Sequence, residues 1–459
     1  MNSTADEITI LGAGLAGSLM TILLARRGIP VKLIERRPDL RTHALEAGRS
    51  INLALADRGL HALKLAGLES AIQPLLIPMT GRMLHDTNGN TQLVRYGQQP
   101  HEVIYSVSRN ALTQLLLLHA GQHAHVTMQF EIECVDVNLA QQQLLFGQFN
   151  NTSLEPYQHL IAADGYHSVI RKEILSATQS LATDDLLPHG YKELTIPADT
   201  TGKHQMHVNA LHIWPRGGFM LIALPNIDGS FTVTLFLPLE SDDSSLPSFT
   251  SLKDIAAINS FFEVNFPDAL QLMPNVAEQF LRHPTGKMHT IRTPRWTDGS
   301  NAILIGDAAH AIVPFHGQGM NCAFEDCIAL DQLMAHANFT EAIHSFERQR
   351  KPDADAIANM ALENYVEMRD TVRQPKFQLQ KELSFELERR FPGRFIPRYS
   401  MVMFHHSIPY SVAYERGKIQ AQILDELTMN VTTMLDVNMK LAEEKIRNAL
   451  SKLTITRNI

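Results

Sequence analysis

Close to its start the chain reads Ile8-Thr9-Ile10-Leu11-Gly12-Ala13-Gly14-Leu15-Ala16-Gly17, and this segment defines the class of fold. Its apolar first half predicts a short β-strand, and the residues from Leu15 to about Arg27 predict an α-helix. A second apolar run, 31–34, predicts a strand that ends directly before Glu35. The order strand, glycine turn, helix, strand is typical of a Rossmann-like βαβ unit.

Each glycine of this motif has its own physical reason. Gly12 permits a tight turn, Gly14 lets the backbone approach a pyrophosphate, and Gly17 lets the helix pack closely on the sheet. The N-terminus of the helix then faces the phosphates. Glu35 suits a ribose with a free 2′-hydroxyl, which favours FAD or NAD over NADP. A glycine turn that serves packing alone is the alternative.

Two carboxylates and a second glycine-rich loop point to a flavin. Asp164 follows an apolar strand that starts near His159, and Asp307 follows the apolar run 303–305. Open α/β sheets bind ligands at the carboxyl ends of their strands, so we expect Asp307 to accept hydrogen bonds from ribityl hydroxyls. Residues 314–321 (Pro-Phe-His-Gly-Gln-Gly-Met-Asn) open a helix, whose N–H groups would stabilise negative charge on a reduced isoalloxazine. A plain Asp-Gly turn and a plain loop are the alternatives.

Composition narrows the class of protein. The 459 residues have a formal net charge of −8 with dispersed Lys and Arg residues, so nucleic acid is not an expected partner. Cys134, Cys322 and Cys327 are too few for a disulfide framework and indicate a cytoplasmic location. The last two lack partners at metal-ligand spacing, and no metal site is expected. Acidic residues before the first strand and short apolar runs predict neither an export signal nor a membrane span.

The rest of the chain alternates between segments predicted to be strands and segments predicted to be helices. Residues 80–96 predict two strands around Asn88-Gly89, a strong hairpin signal because both residues tolerate positive φ. Apolar residues spaced by three and four over 50–68 predict a helix. Residues 206–238 predict further strands, and beyond Lys351 the sequence is largely helical in character.

These motifs, with Arg109 at a helix start between the first two, resemble the class A flavoprotein aromatic hydroxylases of the para-hydroxybenzoate hydroxylase type. In that family the Asp-Gly pair serves FAD and NADPH together. Four further stretches resemble the kynurenine 3-monooxygenase family closely, and the match covers nearly the whole chain. They are Gly48-Arg49-Ser50-Ile51-Asn52-Leu53-Ala54-Leu55, 314–321 followed by Phe324-Glu325-Asp326-Cys327, Asn364-Tyr365-Val366-Glu367-Met368-Arg369, and Pro397-Arg398-Tyr399-Ser400-Met401-Val402. Eukaryotic members end in a membrane anchor that this sequence lacks, so it looks like a soluble bacterial-type member.

The resemblance implies a set of substrate-binding residues, which are Arg82, Tyr96, Phe315, His316, Asn364 and Tyr399. Among them Arg82 and Tyr96 would bind the substrate's amino-acid carboxylate, helped by Asn364 and Tyr399, since guanidinium, phenol and amide groups suit a carboxylate. The other two would line the pocket over the aromatic ring, with His316 shaping it rather than moving protons. A surface arginine, a half-buried tyrosine, a helical asparagine and a loop histidine are the alternatives.

The predicted hairpin tests this site. If Asn88-Gly89 is a two-residue loop, Arg82 faces Arg95, whereas a three-residue loop ending at Asn90 places Arg82 opposite Tyr96. We expect the longer or bulged turn.

The reaction implied by the resemblance has two halves. NADPH delivers hydride to tightly but non-covalently bound FAD, from a transient site near Arg109 and Asp164. The reduced flavin and O2 form a C4a-hydroperoxide that hydroxylates L-kynurenine at ring position 3 in tryptophan degradation. The substrate's arylamine activates the ring, so no catalytic acid or base is assigned.

Two other functions compete with this one. A class A hydroxylase for another anthranilate-like or phenolic compound would not need Arg82, Tyr96, Asn364 and Tyr399 together. A flavin-binding interaction protein would not oxidise NADPH.

The fold class expected is α/β, with a Rossmann-like FAD-binding domain, a second, largely antiparallel β-sheet substrate domain and a C-terminal helical segment that closes the substrate pocket. The boundaries expected are 1–75, 105–185 and 291–350 for the FAD-binding domain, 76–104 (hairpin) and 186–290 (sheet) for the substrate domain, and 351–459 for the C-terminal segment. A homodimer is the expected assembly. The cofactor-binding residues expected are Gly12, Gly14, Leu15, Ala16, Gly17, Glu35, Arg36, Ala54, Arg109, Asp164, Asp307, Pro314, Gly317, Gln318, Gly319, Met320 and Asn321.

Overall fold

A computed structural model describes residues 6–43, 52–148, 151–243, 246–368 and 374–454. Residues 48–51 and Arg369, which carry part of the resemblance, lie outside these ranges. The strands are β1 (Ile8–Leu11), β2 (Val31–Ile34), β3 (Asn52–Leu55), β4 (Ile77–Met79), β5 (Gly81–His85), β6 (Thr91–Arg95), β7 (Ile104–Ser108), β8 (Val126–Gln129), β9 (Glu133–Asn138), β10 (Gln143–Gln148), β11 (Asn151–Pro156), β12 (His159–Ala162), β13 (Thr183–Ile196), β14 (Leu211–Pro215), β15 (Met220–Pro225), β16 (Phe231–Pro238), β17 (Gly286–Arg292) and β18 (Ala302–Leu304). The α-helices are α1 (Leu15–Arg26), α2 (Asp57–Leu65), α3 (Glu69–Ile72), α4 (Arg109–Ala120), α5 (Val169–Ala177), α6 (Ile255–Asn265), α7 (Pro267–Leu270), α8 (Val276–Arg282), α9 (Asp307–His310), α10 (Gly319–Met334), α11 (Phe339–Val366), α12 (Pro375–Arg390), α13 (Arg398–Phe404), α14 (Tyr410–Leu427) and α15 (Met439–Ala449).

A five-stranded sheet in the order β18-β12-β1-β2-β8 forms the centre of the first layer, and its neighbouring strands run parallel. The short apolar strands are buried in a core to which α1 contributes by packing on β1 and β2, and α10 in turn packs against α1. Gly12, Glu35, Asp164 and Asp307 follow β1, β2, β12 and β18, so all four residues lie at one edge of this sheet. The predicted Rossmann-like βαβ opening is therefore confirmed.

A seven-stranded sheet in the order β17-β13-β16-β15-β14-β5-β6 forms the second layer. Its pairs are antiparallel except for β14 with β5, which confirms the expectation of a largely antiparallel second sheet. Alternation along the strands gives the sheet two faces. We call the face that carries Arg82, Ile222 and Thr234 the cavity face, and the face that carries His85 and Val233 the rear face. Helices α6, α7 and α8 pack on the rear face.

The C-terminal part is helical, as expected. Helices α12, α14 and α15 share an apolar cluster around Leu383, Ile423 and Ile446. Helix α13 carries Tyr399 to the cavity face of the second sheet. Among the described residues, the helices are too short or too polar to cross a bilayer.

The prediction of a single helix over 50–68 is wrong. Residues 52–55 form strand β3, which pairs antiparallel with β7, and the helix that follows covers only Asp57–Leu65. Leucines spaced by three and four fit a helix, but Leu55 becomes buried by pairing with a strand some fifty residues away. Gly67 ends the segment with φ of +79°.

The hairpin of β5 and β6 differs in register from the prediction. Asp86 N donates to the Asn90 carbonyl at 3.0 Å, so the loop is the three residues 87–89. A loop longer than two residues is confirmed, but it starts one residue earlier than expected, and Arg82 lies opposite Val94. Tyr96 is two residues beyond Val94, so its side chain reaches the same face as Arg82 by a diagonal contact.

Candidate active site

A groove of about 1130 Å³ runs along the carboxyl ends of the parallel strands. Gly12 adopts φ of +96°, and a Cβ there would lie 2.3 Å from the Ala163 carbonyl oxygen. A Cβ on Gly17 would lie 1.9 Å from the Gly12 carbonyl oxygen, so Gly17 serves helix packing and does not line the groove. The position of a Gly14 Cβ is open space facing the groove. The turn therefore leaves room at Gly14 for a ligand to approach the backbone.

Glu35 is buried at the end of β2 with its carboxylate held on both sides. Its Oε2 accepts from Ala13 N at 2.8 Å, and its Oε1 accepts from Arg37 N at 2.9 Å and Arg37 Nε at 2.8 Å. Burial would raise the pKa of Glu35, but hydrogen bonds and charge from Arg37 outweigh burial and lower it. Arg36, the residue expected to bind the cofactor, lines the groove with an exposed side chain 3.8 Å from Glu133. Arg37 lines the groove as well, and sequence reasoning missed it because adjacent arginines look alike in a sequence.

Asp164 lies in the groove with one oxygen unused. Its Oδ2 accepts from Val169 N at 3.0 Å, whereas Oδ1 is buried without a partner among the described residues. Burial raises the pKa of Asp164. Asp307 and Arg109 line the same groove with exposed side chains. A buried carboxylate oxygen without a donor fits a ligand that brings hydroxyl or N–H groups, as FAD does.

The 314–321 loop divides into residues that line the groove and residues that support it. Pro314, Gly317, Gly319 and Met320 line the groove, together with Leu15, Ala16 and Ala54 near the first turn. Gly317 adopts the left-handed conformation with φ of +65° before α10 begins.

The two amide side chains of this loop face protein groups and do not line the groove. Gln318 Oε1 accepts from the Tyr410 hydroxyl at 2.6 Å. Asn321 Oδ1 accepts from Ala56 N at 3.0 Å, and its Nδ2 donates to the Ala54 carbonyl at 2.9 Å. These side chains hold the loop against β3 and α14, whereas the expectation made them cofactor ligands.

A smaller cavity of about 90 Å³ lies between the groove and the cavity face of the second sheet. It shares Asn52, Ala54, Pro314 and Gly317 with the groove, so a molecule in the cavity would contact a ring placed against the loop. Most of its wall is apolar, formed by Met79, Ile104, Leu211, Met220, Ile222, Leu224, Phe236, Phe315, Met368 and Met403.

Arg82, Tyr96 and Tyr399 meet at one end of this cavity. The Arg82 guanidinium carbon lies 5.1 Å from the Tyr399 ring centroid and 5.8 Å from that of Tyr96, and the two rings stack at 5.5 Å. Arg82 Nη1 lies 3.9 Å from Glu367 Oε1. Arg82 Nε and the Tyr96 hydroxyl are buried with no hydrogen-bond partner in the described chain.

Charge and burial set the chemistry of this end. Burial raises the pKa of Tyr96 well above its ordinary value and that of Tyr399 to about 12, so both phenols are neutral donors. Burial would lower the pKa of Arg82, but the two tyrosines and Glu367 outweigh it and raise the pKa. A permanent cation with two neutral donors suits a carboxylate.

Phe315 and His316 line the cavity, and Asn364 lies behind it. Phe315 packs against Phe236 and Tyr365, with centroids 4.9 Å and 4.1 Å away. Burial lowers the pKa of His316 to about 3, so the ring is neutral, and its Nδ1 has no partner among the described groups. Asn364 does not line the cavity, since its Nδ2 donates to the Phe315 carbonyl at 2.7 Å.

Sequence reasoning missed three residues near this site. Thr234 lines the cavity with a buried hydroxyl, and Glu367 approaches Arg82. Lys381 on α12 has a pKa lowered to about 8 by burial and by the charge of Arg82. No local pattern marks these residues, because their neighbours lie far away in the chain.

The side chains of His310, Cys322 and Asp326, each of a type that can bind a metal ion, lie close together in the core. However, Asp326 accepts from His310 Nε2 at 2.5 Å, from Gly306 N at 3.1 Å and from Arg350 Nε at 2.9 Å. Burial raises the pKa of the Cys322 thiol well above its ordinary value. A guanidinium and a neutral thiol oppose a bound cation, so we interpret the cluster as a structural charge network.

Comparison with known proteins extends these observations. The sequence profile of the FAD binding domain family matches residues 6–361. Two curated relatives named kynurenine 3-monooxygenase, from Myxococcus xanthus (strain DK1622) and Xanthomonas axonopodis pv. citri (strain 306), are each 45% identical over 449 residues. These alignments cover 97% of this chain and 96% and 98% of the relatives.

Solved structures share the fold at low sequence identity. The tetrameric form of 2-methyl-3-hydroxypyridine-5-carboxylic acid oxygenase has a TM-score of 0.65 at 19% identity, covering 81% of this chain and 95% of that one. Pseudomonas aeruginosa PqsL in complex with 2-aminobenzoylacetate has a TM-score of 0.64 at 18% identity, covering 80% of this chain and 98% of that one.

Proposed function

The chain belongs to the kynurenine 3-monooxygenases, and on that premise we propose that it hydroxylates L-kynurenine at ring position 3 with FAD, NADPH and O2, giving 3-hydroxykynurenine, NADP⁺ and water. The observation that carries the proposal is the cavity beside the groove. Its cationic, phenolic end holds Arg82, Tyr96 and Tyr399, and the remainder of its wall is mainly apolar. An amphipathic molecule with a carboxylate at one end and an aromatic ring at the other matches that division.

The groove would hold FAD. The pyrophosphate would lie on the N–H groups at the start of α1 beside Gly14, and the adenosine ribose on Glu35. The ribityl chain would lie beside Asp164 and Asp307, whose carboxylates accept hydroxyl groups. When bound, FAD supplies the redox chemistry, taking hydride from NADPH and activating O2 for transfer of one oxygen atom.

The protein's own part is to bind, orient and keep water away. Arg82 and the two tyrosines would hold the carboxylate, and Phe315 with Phe236 would hold the ring against the flavin side of the cavity. Asn364 would act through its hydrogen bond to the Phe315 carbonyl, by fixing the loop. Misplacing a ring by about 1 Å costs on the order of a hundredfold in rate, which makes this positioning essential. Neutral His316 would shape the pocket without carrying charge.

The decisive assay measures NADPH oxidation with and without L-kynurenine and detects the product by chromatography. We expect L-kynurenine to stimulate oxidation and 3-hydroxykynurenine to accumulate. A phenolic acid such as 4-hydroxybenzoate is the control for another class A hydroxylase. Stimulation by the phenolic acid alone, or no NADPH oxidation at all, would contradict the proposal.

Two glycine variants test where FAD binds. Gly17→Ala places a Cβ against backbone at 1.9 Å and is expected to prevent correct folding, whereas Gly14→Ala meets no protein atom and is expected to fold. Because Gly14 faces the groove, its alanine variant should retain native circular dichroism but release much of its flavin, measured by absorbance at 450 nm after desalting. Full flavin retention in folded Gly14→Ala would contradict the proposal that the pyrophosphate binds beside Gly14.

We also propose the six-segment domain division given by the sequence, a cytoplasmic location and a homodimer. The location is supported by three free cysteines. Exposed apolar side chains such as Leu181 and Leu435 offer surface for a second copy. Light scattering should give twice the chain mass of 51.4 kDa, and the monomer mass would contradict the dimer.

A further inference from the structure

Thr234 places one unpaired hydroxyl in the apolar wall of the cavity. It lies on β16, opposite Ile222 of β15, and Phe236 follows two residues later on the same face. The side chain is fully buried, and Oγ1 has no hydrogen-bond partner among the described residues. Thr232, two residues earlier on the same strand, instead donates to Asn226 Oδ1 at 3.4 Å and does not line the cavity.

A buried hydroxyl without a partner is unfavourable. Leaving such a group unpaired costs about 1–3 kcal/mol, and valine would fill nearly the same volume without that cost. A polar atom of a ligand in the cavity would pair with the hydroxyl and remove the penalty.

The position of Thr234 decides which part of a ligand it meets. The sheet order places β15 and β14 between β16 and the strand of Arg82, so the two strands are about 14 Å apart at the usual spacing. A molecule whose carboxylate contacts Arg82 therefore extends its other end toward Thr234. Phe236 and Phe315 flank that end.

We propose that the Thr234 hydroxyl binds the arylamine of an ortho-amino aryl ketone and so selects which ring carbon is oxidised. This inference rests on the proposed function. In such a compound one amine N–H bonds the neighbouring ketone oxygen, and the second N–H needs an acceptor. A threonine oxygen accepts that N–H. The ring carbon next to the amine is then held in place, which makes Thr234 a specificity-determining residue.

Three variants separate the hydroxyl from the shape of the side chain. Thr234→Val removes the hydroxyl, Thr234→Ser keeps it, and Thr232→Val makes the same chemical change outside the cavity. Losing one neutral hydrogen bond in a buried site predicts a rise of about tenfold in KM for L-kynurenine in Thr234→Val. We also expect less 3-hydroxy product per NADPH, with hydrogen peroxide making up the difference. Thr234→Ser and Thr232→Val should stay within about threefold of the parent enzyme.

A substrate analogue without the arylamine, 2-amino-4-oxo-4-phenylbutanoate, makes the test specific. Its binding, followed by the change in flavin absorbance, should be equal in the parent enzyme and Thr234→Val. Equal weakening of the analogue and L-kynurenine would overturn the inference, as would unchanged KM and coupling in Thr234→Val, or an equal loss in Thr234→Ser. If the parent enzyme gives no 3-hydroxykynurenine, the proposed function fails instead, so the two failures are distinguishable.

Discussion

The two faces of the seven-stranded sheet differ in how far their buried polar side chains are hydrogen-bonded. On the cavity face, Arg82 Nε, the Tyr96 hydroxyl and Thr234 Oγ1 are buried without partners in the described chain. On the rear face, each ring nitrogen of His85 and His212 and the indole N–H of Trp214 has a partner at 2.8 Å. Both sets are buried, so burial alone does not distinguish a site from a structural network.

The hydrogen bonds of the rear face also assign its protons. His212 Nε2 lies 2.8 Å from the His207 carbonyl and must donate, and burial lowers the pKa of His212 to about 4, so its Nδ1 accepts. His85 Nε2 therefore donates to His212. Burial would raise the pKa of Asp268, but the hydrogen bond from His85 outweighs it and lowers the pKa, so His85 also donates from Nδ1 to an ionised carboxylate. Asp268 Oδ2 accepts from both His85 Nδ1 and Trp214 Nε1, each at 2.8 Å.

Unsatisfied polar atoms on residues that line a cavity, rather than buried polar atoms as such, therefore indicate where a ligand binds. In the rear-face network the histidine and indole nitrogens are all paired and contribute to stability, although Asp268 Oδ1 is buried without a partner among the described residues. Substitutions on the two faces should therefore change different measurements.

The largest effect is expected for Arg82→Ala on the cavity face. Truncating one partner of a buried charge pair costs about 2–5 kcal/mol, so kcat/KM for L-kynurenine should fall by about a thousandfold in steady-state assays. Flavin content should not change, since Arg82 does not line the groove. Arg95→Ala, an exposed arginine on the same hairpin, is the control and should remain near the parent value. Loss of flavin in Arg82→Ala would contradict the proposal that the cavity face binds the substrate.

Asp268→Asn on the rear face should act on stability instead. It removes the carboxylate that accepts from His85 Nδ1 and Trp214 Nε1, and weakening hydrogen bonds to a charged group lowers the free energy of unfolding by about 2–3 kcal/mol, measured by urea denaturation. The KM for L-kynurenine should change by less than about threefold. Asp185→Asn, which breaks an exposed pair with Arg292, is the control and should cost less than about 1 kcal/mol. A large rise in KM with unchanged stability in Asp268→Asn would contradict the distinction between a substrate-binding cavity face and a stabilising rear face.

The smallest effect is expected for Lys381, near the cationic end of the cavity. With a pKa of about 8, Lys381 is charged below pH 8 and loses its charge above it. The KM for L-kynurenine should therefore rise by about threefold between pH 7 and pH 9, the size of one partly exposed charge interaction. Lys381→Met should show a raised KM at pH 7 and lack this lysine-dependent rise, whereas Lys381→Arg should keep a low KM at both pH values. Identical pH profiles for the parent enzyme and Lys381→Met would exclude the role.

Elements defined by local patterns were predictable from the sequence. Strand β1, helix α1 and strand β2 end within one residue of their predicted limits, because short continuous apolar runs and glycine conformation act over a few residues. Residues 52–55 were not predictable in this way, since pairing with β7 overrode their helical spacing. The hairpin loop was predictable in length, whereas its register depended on how the turn closes between Asp86 and Asn90.

The βαβ unit, the glycine turn and the acidic residues at the strand ends could be read from the sequence, because these features follow from neighbouring residues. Resemblance added the residues of the cavity. Which atoms are left without partners there, and the hydrogen bonds of Arg37 to Glu35, depended on the tertiary structure. The tertiary structure also shows that Gln318, Asn321 and Asn364 hydrogen-bond protein groups and stabilise the 314–321 loop. The physical reason is that a hydrogen bond is satisfied or left open by groups far apart in the chain, and folding alone brings them together.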